Sequence, residues 1–293
     1  MTASIIDGRK CARDVRSEVA EEVRLLQANH NLTPGLAAIL VGEDPASAVY
    51  VKNKNVACQE VGIFSEIFKM PVDTTQEKLE SLIKTLNEDS RFNGILVQLP
   101  LPSHLDQRSV ISVIDPAKDV DCLHPSNVGK LIEGTPMFIP GTPAGIQELL
   151  KRSGYSPNGL NVVICGRSNI VGKPAAILLM QKGEWANATV TVCHTGTTDL
   201  SQHTKSADIL IAAIGKPNAI TADFIKEGAV VIDVGINRVA DTSKRSGYKL
   251  VGDVDYDGVF NKAGAITPVP GGVGPMTVAM LLLNTLKSAK YTL

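Results

Sequence analysis

Residues 160–179, LNVVICGRSNIVGKPAAILL, decide the fold of the second half of the chain. The apolar run Leu160–Cys165 predicts a buried strand, and a turn that contains two glycines separates it from a predicted helix that begins near Ala175. Three more apolar runs of strand length follow, at Ala188–His194, Asp208–Ile214 and Ala229–Val234. Continuous apolar runs joined by crossovers are typical of parallel strands that are covered on both faces, so we predict a right-handed, doubly wound parallel sheet.

The first half of the chain shows the same alternation. We expect strands at Gly35–Val41, Ser65–Met70 and Gly94–Leu99, with helices over 8–29, 46–60, 75–87 and 107–114. The following segment, Lys118–Pro143, is rich in glycine and proline, which predicts turns and a domain boundary near its end. The fold class is therefore α/β, with two domains.

Composition excludes several classes of protein. The chain has 293 residues, of which 44% are hydrophobic, and its 29 basic and 30 acidic side chains leave a net charge of −1. This balance argues against disorder and against a general nucleic-acid-binding surface. No apolar run approaches the ~20 residues of a membrane span, and the first residues lack the basic-then-apolar order of a secretory signal.

The cysteines and histidines exclude two further kinds of site. The five scattered cysteines predict reduced thiols in a cytoplasmic protein. Neither the cysteines nor the five histidines have the spacing of metal ligands, so we predict no metal site.

The turn after the first strand of the second half is a candidate nucleotide site. Gly166 would let the backbone approach a pyrophosphate at the N-terminus of the following helix, although an ordinary strand–helix connection is the alternative. The next strand ends without the acidic residue that binds the ribose of NAD, and Arg167 could instead pair with a 2′-phosphate. The missing carboxylate and Arg167 together favour NADP over NAD, and the hydroxyls of Ser168 and Thr195 could add donors to the phosphate. The alternative is that Arg167 is a solvated loop cation and His194 only a turn residue.

Four further clusters are candidates for a substrate site. Tyr50 and Lys54 share a helix face, which is either an ordinary exposed surface or a proton donor beside a tunable amine. Gln98 leaves the end of a predicted strand, where ligands bind in open α/β sheets. In Lys118-Asp119-Val120-Asp121 a carboxylate could accept hydrogen bonds from a heterocycle, or merely cap a turn. The segment 268–275, PVPGGVGP, implies a backbone fitted tightly against a ligand or a neighbouring domain.

Together and in this order, these motifs resemble the bifunctional methylenetetrahydrofolate dehydrogenase/methenyltetrahydrofolate cyclohydrolase family over essentially the whole chain. The resemblance implies a folate-binding catalytic domain over 1–143 and 275–293 and a Rossmann-like NADP domain over 144–274. It also implies a cleft between the domains, a homodimer formed through the NADP domains, tetrahydrofolate one-carbon derivatives as substrates and a role in purine biosynthesis. No nucleic-acid or membrane partner is expected.

The resemblance also assigns roles to residues. Lys54 would be the key catalytic residue, Tyr50 would pack against the folate, Gln98 would hold Lys54, and Asp121 would bind the pterin ring. Leu99, Pro270 and Gly271 would complete the substrate contacts. The residues implied for the cofactor are Thr142, Gly166, Arg167, Ser168, Val171, Gly172, His194, Thr195 and Ile236.

Two positions depart from the family pattern. Cys122 stands where the family usually has glycine, and its side chain could crowd the pterin pocket or shift Asp121. Gly141 stands where the family often has cysteine, which removes a thiol and relaxes the backbone.

The implied activity is NADP-dependent oxidation of 5,10-methylenetetrahydrofolate to 5,10-methenyltetrahydrofolate, followed by hydrolysis to 10-formyltetrahydrofolate. A neutral Lys54 would take the proton from the attacking water, because a cationic lysine would repel the cationic methenyl group. Two alternatives stay open at this point. One is another two-domain NADP-linked oxidoreductase, of the shikimate or amino-acid dehydrogenase kind, and the other is a nucleotide-binding regulator without catalysis.

Overall fold

The computed structural model describes residues 2–244 and 247–293, which fold into two compact α/β units. In chain order, the first half contains β1 (Ser4–Ile5), α1 (Gly8–His30), β2 (Gly35–Val41), α2 (Pro45–Glu60), β3 (Phe64–Met70), α3 (Gln76–Glu88), β4 (Gly94–Val97), α4 (Gln107–Val113) and α5 (Pro125–Glu133). The second half contains α6 (Gly141–Arg152), β5 (Asn161–Cys165), α7 (Gly172–Met180), β6 (Thr189–Cys193), α8 (Leu200–Thr204), β7 (Ile209–Ala212), β8 (Val230–Asp233), β9 (Asn237–Ala240), β10 (Tyr248–Val251), α9 (Tyr256–Phe260), β11 (Ala265–Ile266) and α10 (Val273–Tyr291).

One unit is built on a six-stranded parallel sheet in the order β1-β11-β8-β7-β5-β6. The chain runs from β5 outward to β6 and then returns to the other side of β5 as β7, so the strand order reverses between β5 and β7. In doubly wound sheets a ligand binds at the carboxyl ends of the strands at such a reversal. The observed strand order confirms the predicted doubly wound parallel sheet. The strands β5, β7 and β8 are almost fully buried, as their apolar runs predict.

The other unit is built on a three-stranded parallel sheet in the order β3-β2-β4. Its strands and helices match the predicted segments to within one or two residues at most ends. Beyond β4 the chain returns in extended form, where Asp119 pairs in parallel with Ile95 and the amide of Ile95 donates to the Lys118 carbonyl at 2.8 Å. Gln98 and Asp121 therefore follow neighbouring extended segments at the same edge of this sheet.

The first residues of the chain lie differently from the predicted domain ranges. Residues 2–12 belong to the unit formed by Thr142–Thr277, whereas the resemblance implies the first domain for them. The reason is β1, whose two residues pair with β11 at the edge of the six-stranded sheet. The last residues, Val278–Leu293, belong to the unit formed by Arg13–Gly141, as the resemblance implies for the C-terminal helix.

The turn-rich segment also contains a helix that we did not predict. In α5, Pro125 stands at the first helical position, where a missing amide hydrogen has no consequence, and Gly134 ends the helix in the left-handed region with φ of 80°. Nδ1 of His124 accepts from the amide of Ser126 and caps the start. Proline and glycine here mark the two ends of a helix rather than a continuous loop.

Within residues 2–244 and 247–293, no helix combines the length and the apolar character that a membrane span requires.

Candidate active site

The predicted nucleotide turn connects β5 to α7 at the reversal of strand order. Gly166 has φ of 144°, and a Cβ there would collide with the carbonyl oxygen of Ala213, which follows β7. A Cβ on Gly172, the first residue of α7, would collide with the carbonyl oxygen of Gly166. Both positions therefore require glycine, and the turn presents bare backbone at the start of a helix, which is the arrangement that binds phosphate in dinucleotide folds.

Ser168 shapes this turn from within. Its Oγ accepts hydrogen bonds from the amides of Val171 at 3.1 Å and Gly172 at 3.4 Å. A hydroxyl has two acceptor lone pairs and one hydrogen, so the hydrogen of Ser168 is left to donate to a ligand.

The side chains around the turn have the chemistry of a phosphate site. Arg167 is exposed, and in the described part of the chain its guanidinium has no hydrogen-bond or ion-pair partner. Nδ1 of His194 accepts from the amide of Gly196 at 3.0 Å, so its role inside the protein is that of a turn residue. Thr195 is exposed beside it. Asp199, the first carboxylate after β6, is occupied as the N-cap of α8, where it accepts from the amide of Gln202 at 3.2 Å.

These residues border a cavity of about 300 Å³ at the carboxyl ends of β5, β6 and β7, lined by Cys165, Gly166, Arg167, Ser168, Cys193, His194, Thr195, Leu200, Ala213 and Ile214. The glycine cradle, the unpaired guanidinium and the absence of a competing carboxylate at the end of β6 fit a dinucleotide that carries a 2′-phosphate.

A second cavity of about 140 Å³ lies in the same unit. Its walls include Ile236, which follows β8, and Pro270 and Gly271 of the glycine-rich segment that precedes α10. Ile236 is 47% exposed, which leaves its side chain available for a ligand. Thr142 stands at the start of α6, and its hydroxyl lies 3.1 Å from that of Thr277 in α10. The structure thus places Pro270 and Gly271 in the unit that also holds the cofactor candidates.

The other candidates lie in the unit built on the three-stranded sheet. Lys54, on α2, donates from Nζ to Oε1 of Gln98 at 3.2 Å. Nε2 of Gln98 donates to the carbonyl oxygen of Leu99 at 2.7 Å, which fixes the amide with its oxygen toward the lysine. The Nζ group of Lys54 is thus held by a neutral acceptor, the amide oxygen of Gln98. Because Lys54 is only half-buried, the other hydrogens on Nζ can reach a ligand.

Asp121 and Tyr50 complete this group. Asp121 accepts no hydrogen bond from any residue in 2–244 or 247–293, and it lies close enough to Lys54 for the two charges to interact. Part of its surface reaches solvent, yet the surrounding protein raises the pKa of its carboxyl by burial, and the charge of Lys54 opposes that rise. Tyr50 lies one turn before Lys54 on α2 and is 45% exposed. The carboxylate of Asp121, the amine of Lys54 and the exposed ring of Tyr50 are together suited to bind a flat, polar heterocycle.

The rest of the Lys118–Asp121 motif is structural. Lys118 donates from Nζ to the carbonyls of Leu86 and Asp89 at the end of α3, at 3.1 and 2.9 Å. Asp119 is buried and accepts from three donors of the following turn and helix α5: the amides of Leu123 and His124 and the side-chain amide of Asn127. Burial raises the pKa of Asp119 to about 6, although these hydrogen bonds oppose the rise. Of the two carboxylates, only Asp121 is left for a ligand.

Cys122 has a backbone conformation that favours glycine. The residue has φ of 57°, in the left-handed region that glycine adopts at little cost. Its side chain is fully buried, and its Sγ donates to the carbonyl oxygen of Phe138 at 3.3 Å. Burial and the nearby carboxylates of Asp119 and Asp121 raise the pKa of the thiol, so it stays protonated.

Two residues that support the site escaped the sequence analysis. Asn284 of α10 is buried and donates from Nδ2 to the carbonyls of Val120 at 2.8 Å and Ile139 at 2.9 Å. Ser288, one turn later, donates to the carbonyl of Ala117 at 2.7 Å. The sequence places both among the polar residues of a largely apolar helix, but it does not show their partners, which are more than 140 residues away.

Comparison with known proteins covers both halves of the chain. Residues 140–293 match the family described as "Tetrahydrofolate dehydrogenase/cyclohydrolase, NAD(P)-binding domain", and residues 6–121 match its "catalytic domain". The chain is 56% identical over 290 residues to the bifunctional protein FolD of Moorella thermoacetica, covering 99% of this chain and 100% of that protein.

Solved structures agree with this comparison. The crystal structure of a bifunctional FolD from Campylobacter jejuni is 46% identical, with a TM-score of 0.93 over 99% of this chain and 100% of that chain. The Trypanosoma brucei enzyme, solved with NADP and an inhibitor, is 43% identical, with a TM-score of 0.94 over 100% of this chain and 99% of that chain. The chain therefore belongs to the tetrahydrofolate dehydrogenase/cyclohydrolase family.

Proposed function

We propose that the chain oxidises 5,10-methylenetetrahydrofolate with NADP⁺ and hydrolyses the resulting 5,10-methenyltetrahydrofolate to 10-formyltetrahydrofolate. Membership of the family supports this pair of reactions, and neither another NADP-linked oxidoreductase nor a regulator without catalysis has comparable support. The observation that carries the proposal in this chain is the group formed by Lys54, Gln98 and Asp121, with an amine held by an amide beside a carboxylate that no other residue occupies.

The cofactor side of the proposal rests on the turn between β5 and α7. Arg167, Ser168 and Thr195 would hold the 2′-phosphate of NADP, with Val171, Gly172 and His194 completing this border of the site. Thr142 and Ile236 would contact the remainder of the cofactor. NADP⁺, when bound, supplies a hydride acceptor for the one-carbon bridge of the folate. The protein contributes the alignment of the two ligands, because alignment is what this type of transfer needs from its surroundings.

The folate side of the proposal assigns one task to each side chain. The carboxylate of Asp121 accepts hydrogen bonds from the N–H groups of the pterin, and the ring of Tyr50 packs against it. Leu99, Pro270 and Gly271 add contacts to the substrate. Gln98 holds Nζ of Lys54 through its fixed amide oxygen. These contacts orient the substrate rather than react with it.

Lys54 is the proton acceptor of the hydrolytic step. Water attacks the carbon of the methenyl group, and one of its protons moves to the neutral Nζ of Lys54. The remaining hydroxyl proton then moves to N5 as the bond from the carbon to N5 breaks, which leaves the formyl group on N10. Lys54 has to lose its proton before this step, because the methenyl group is cationic and an ammonium would repel it and raise the barrier.

We further propose a cytoplasmic homodimer. None of the five cysteines, all of which lie in the described residues, forms a disulfide, and all are buried, which supports a reducing compartment. The strand β6 forms one edge of the six-stranded sheet, and an edge strand that no other strand covers offers a surface for pairing with a second copy. Light scattering of the purified chain tests this: a mass of two chains is expected, and a single chain would contradict it.

The experiment that tests the proposed function compares Lys54→Met with Lys52→Met on the same helix. Lys52 is exposed, whereas the Nζ of Lys54 is hydrogen-bonded to Gln98. The two variants therefore remove the same amine group, once from the surface and once from the proposed site. Lys54→Met is expected to abolish hydrolysis of 5,10-methenyltetrahydrofolate while folate binding stays measurable, and Lys52→Met is expected to keep both. Hydrolysis near the wild-type rate in Lys54→Met would overturn the assignment of the proton acceptor.

A further inference from the structure

Two buried aspartates behind the cofactor cavities have no part in the proposed chemistry. Asp233 is the last residue of β8, and Asp253 follows β10. Asp233 is 3% exposed and borders the smaller cavity, whereas Asp253 is 0% exposed and lines neither cavity, so Asp253 cannot contact a ligand directly. Charged side chains are rarely buried to this degree unless hydrogen-bond donors surround them, so the donors that meet these carboxylates indicate what they do.

The carboxylate of Asp253 accepts hydrogen bonds from two loops that border the cavities. Its Oδ2 accepts from the amides of Ile214 at 2.6 Å and Gly215 at 2.8 Å, in the loop that follows β7. Its Oδ1 accepts from Nδ2 of Asn237 at 2.8 Å. Ile214 lines the larger cavity, and Ile236, which precedes Asn237, lines the smaller one. One carboxylate therefore fixes a wall of each cavity.

Asp233 holds Asp253 in turn. Its Oδ1 accepts from the amides of Gly235 and Asp253, both at 2.9 Å, and its Oδ2 accepts from the amide of Val254 at 3.0 Å. A Cβ on Gly235 would collide with the carboxylate of Asp253. The chain therefore leaves room at this position for the carboxylate.

An ionised carboxylate satisfies all of these donors in the arrangement observed. Three N–H groups converge on each aspartate from different directions, and an ionised carboxylate offers about four acceptor positions and no hydrogen. An asparagine would turn an NH₂ group toward at least one N–H donor. The loops would then lose a fixed point, and Gly215, which has φ of 76°, would gain access to other conformations.

We propose that Asp253, held by Asp233, is a positioning residue for NADP that fixes the loops bearing Ile214 and Ile236 in the shape the cofactor requires. The inference rests on the proposed function. Loops that are fixed before binding do not have to be ordered by the ligand, so loss of the carboxylate weakens binding without removing a contact to the cofactor. Loss of the Asp253 carboxylate should therefore weaken NADP binding and leave hydrolysis of 5,10-methenyltetrahydrofolate, which uses Lys54, unchanged.

The test is a calorimetric titration of NADP⁺ into wild type, Asp253→Asn and the matched control Asp255→Asn. Asp255 caps α9 and contacts neither loop through its side chain. Asp253→Asn is expected to raise the Kd for NADP⁺ by about 10-fold or more, with hydrolysis of 5,10-methenyltetrahydrofolate within about two-fold of wild type in kcat and KM. Asp255→Asn is expected to leave the Kd unchanged.

A milder variant covers the possibility that Asp253→Asn does not fold. Asn237→Ala removes the contact to Oδ1 and a long hydrogen bond of 3.5 Å to the carbonyl of Val251, and leaves both loop amides on Oδ2. A several-fold rise in the Kd for NADP⁺ with normal hydrolysis is expected. The inference is overturned if the folded variants bind NADP⁺ as wild type does, or if NADP⁺ binding and hydrolysis fall in the same proportion, which would indicate general destabilisation. A wild-type chain that binds no NADP⁺ would overturn the proposed function together with the inference.

Discussion

Replacing Asn284 by leucine tests how the C-terminal helix supports the folate site. The amide of Asn284 is 3% exposed and donates to the carbonyls of Val120 and Ile139. Val120 directly precedes Asp121, so this amide anchors the backbone that carries the proposed pterin ligand. Leucine has a similar size and no donor, which removes the two hydrogen bonds while leaving little empty space.

The magnitude follows from the two carbonyls left without a partner. Each buried acceptor that loses its hydrogen bond costs about 1–3 kcal/mol, and the additional apolar burial of leucine offsets about 1 kcal/mol. We expect the free energy of unfolding to fall by about 1–5 kcal/mol. The loosened turn should also raise KM for 5,10-methenyltetrahydrofolate more than it lowers kcat, because Lys54 and Gln98 are untouched.

Urea unfolding followed by circular dichroism, together with steady-state hydrolysis kinetics, measures both effects. The matched control is Thr285→Val, since the hydroxyl of the neighbouring Thr285 donates only to Leu281 within the same helix. This control should lose less than about 1 kcal/mol and keep its KM. Equal stability losses in the two variants, with KM unchanged in both, would refute the role of Asn284.

Three further predictions address the cofactor, the unusual cysteine and the buried carboxylates. Arg167→Met should raise KM for NADP⁺ by about 10–100-fold and leave KM for NAD⁺ unchanged, since a charge-assisted pair is lost with one cofactor only; equal losses would contradict the assignment. Cys122→Gly should be more stable in urea than Cys122→Ala by about 1 kcal/mol, because φ of 57° strains alanine but not glycine; the reverse order would contradict this account. The folded-state pKa of Asp119, about 6 against 3.8 unfolded, means that its protonated form favours the fold and that this stability is lost as the pH rises through 6. Between about pH 5 and 7 the free energy of unfolding of wild type should therefore fall by about 1 kcal/mol more than that of Asp119→Asn, and parallel pH curves would contradict this.

The sequence predicted best what depends on local pattern. Apolar runs such as Gly35–Val41 set the strands, and the glycines at 166 and 172 identified the turn at the reversal of strand order. The motif around Lys54 and Gln98 was found because each stands at a recognisable position, a helix face and a strand end. Local pattern did not distinguish Asp119 from Asp121, and only the resemblance implied Asp121, because the donors that occupy Asp119 come from the following turn and α5.

Long-range contacts account for the remainder. The two-residue strand β1 is too short to show periodicity, and its partner β11 lies about 260 residues later in the chain. Asp253 follows a short hairpin of β9 and β10, and its donors Ile214 and Gly215 lie almost 40 residues earlier. No local pattern reports such pairings, since they arise only when the sheet has assembled.

One chain is proposed to perform both folate reactions, and Lys54 serves the second. The most direct measurement supplies 5,10-methylenetetrahydrofolate and NADP⁺ to wild type and follows NADPH and 10-formyltetrahydrofolate in the same sample, beside Lys54→Met supplied with 5,10-methenyltetrahydrofolate. We predict that wild type forms both products and that Lys54→Met forms no 10-formyltetrahydrofolate above the uncatalysed rate. Absence of NADPH with wild type, or hydrolysis by Lys54→Met at the wild-type rate, would contradict the account.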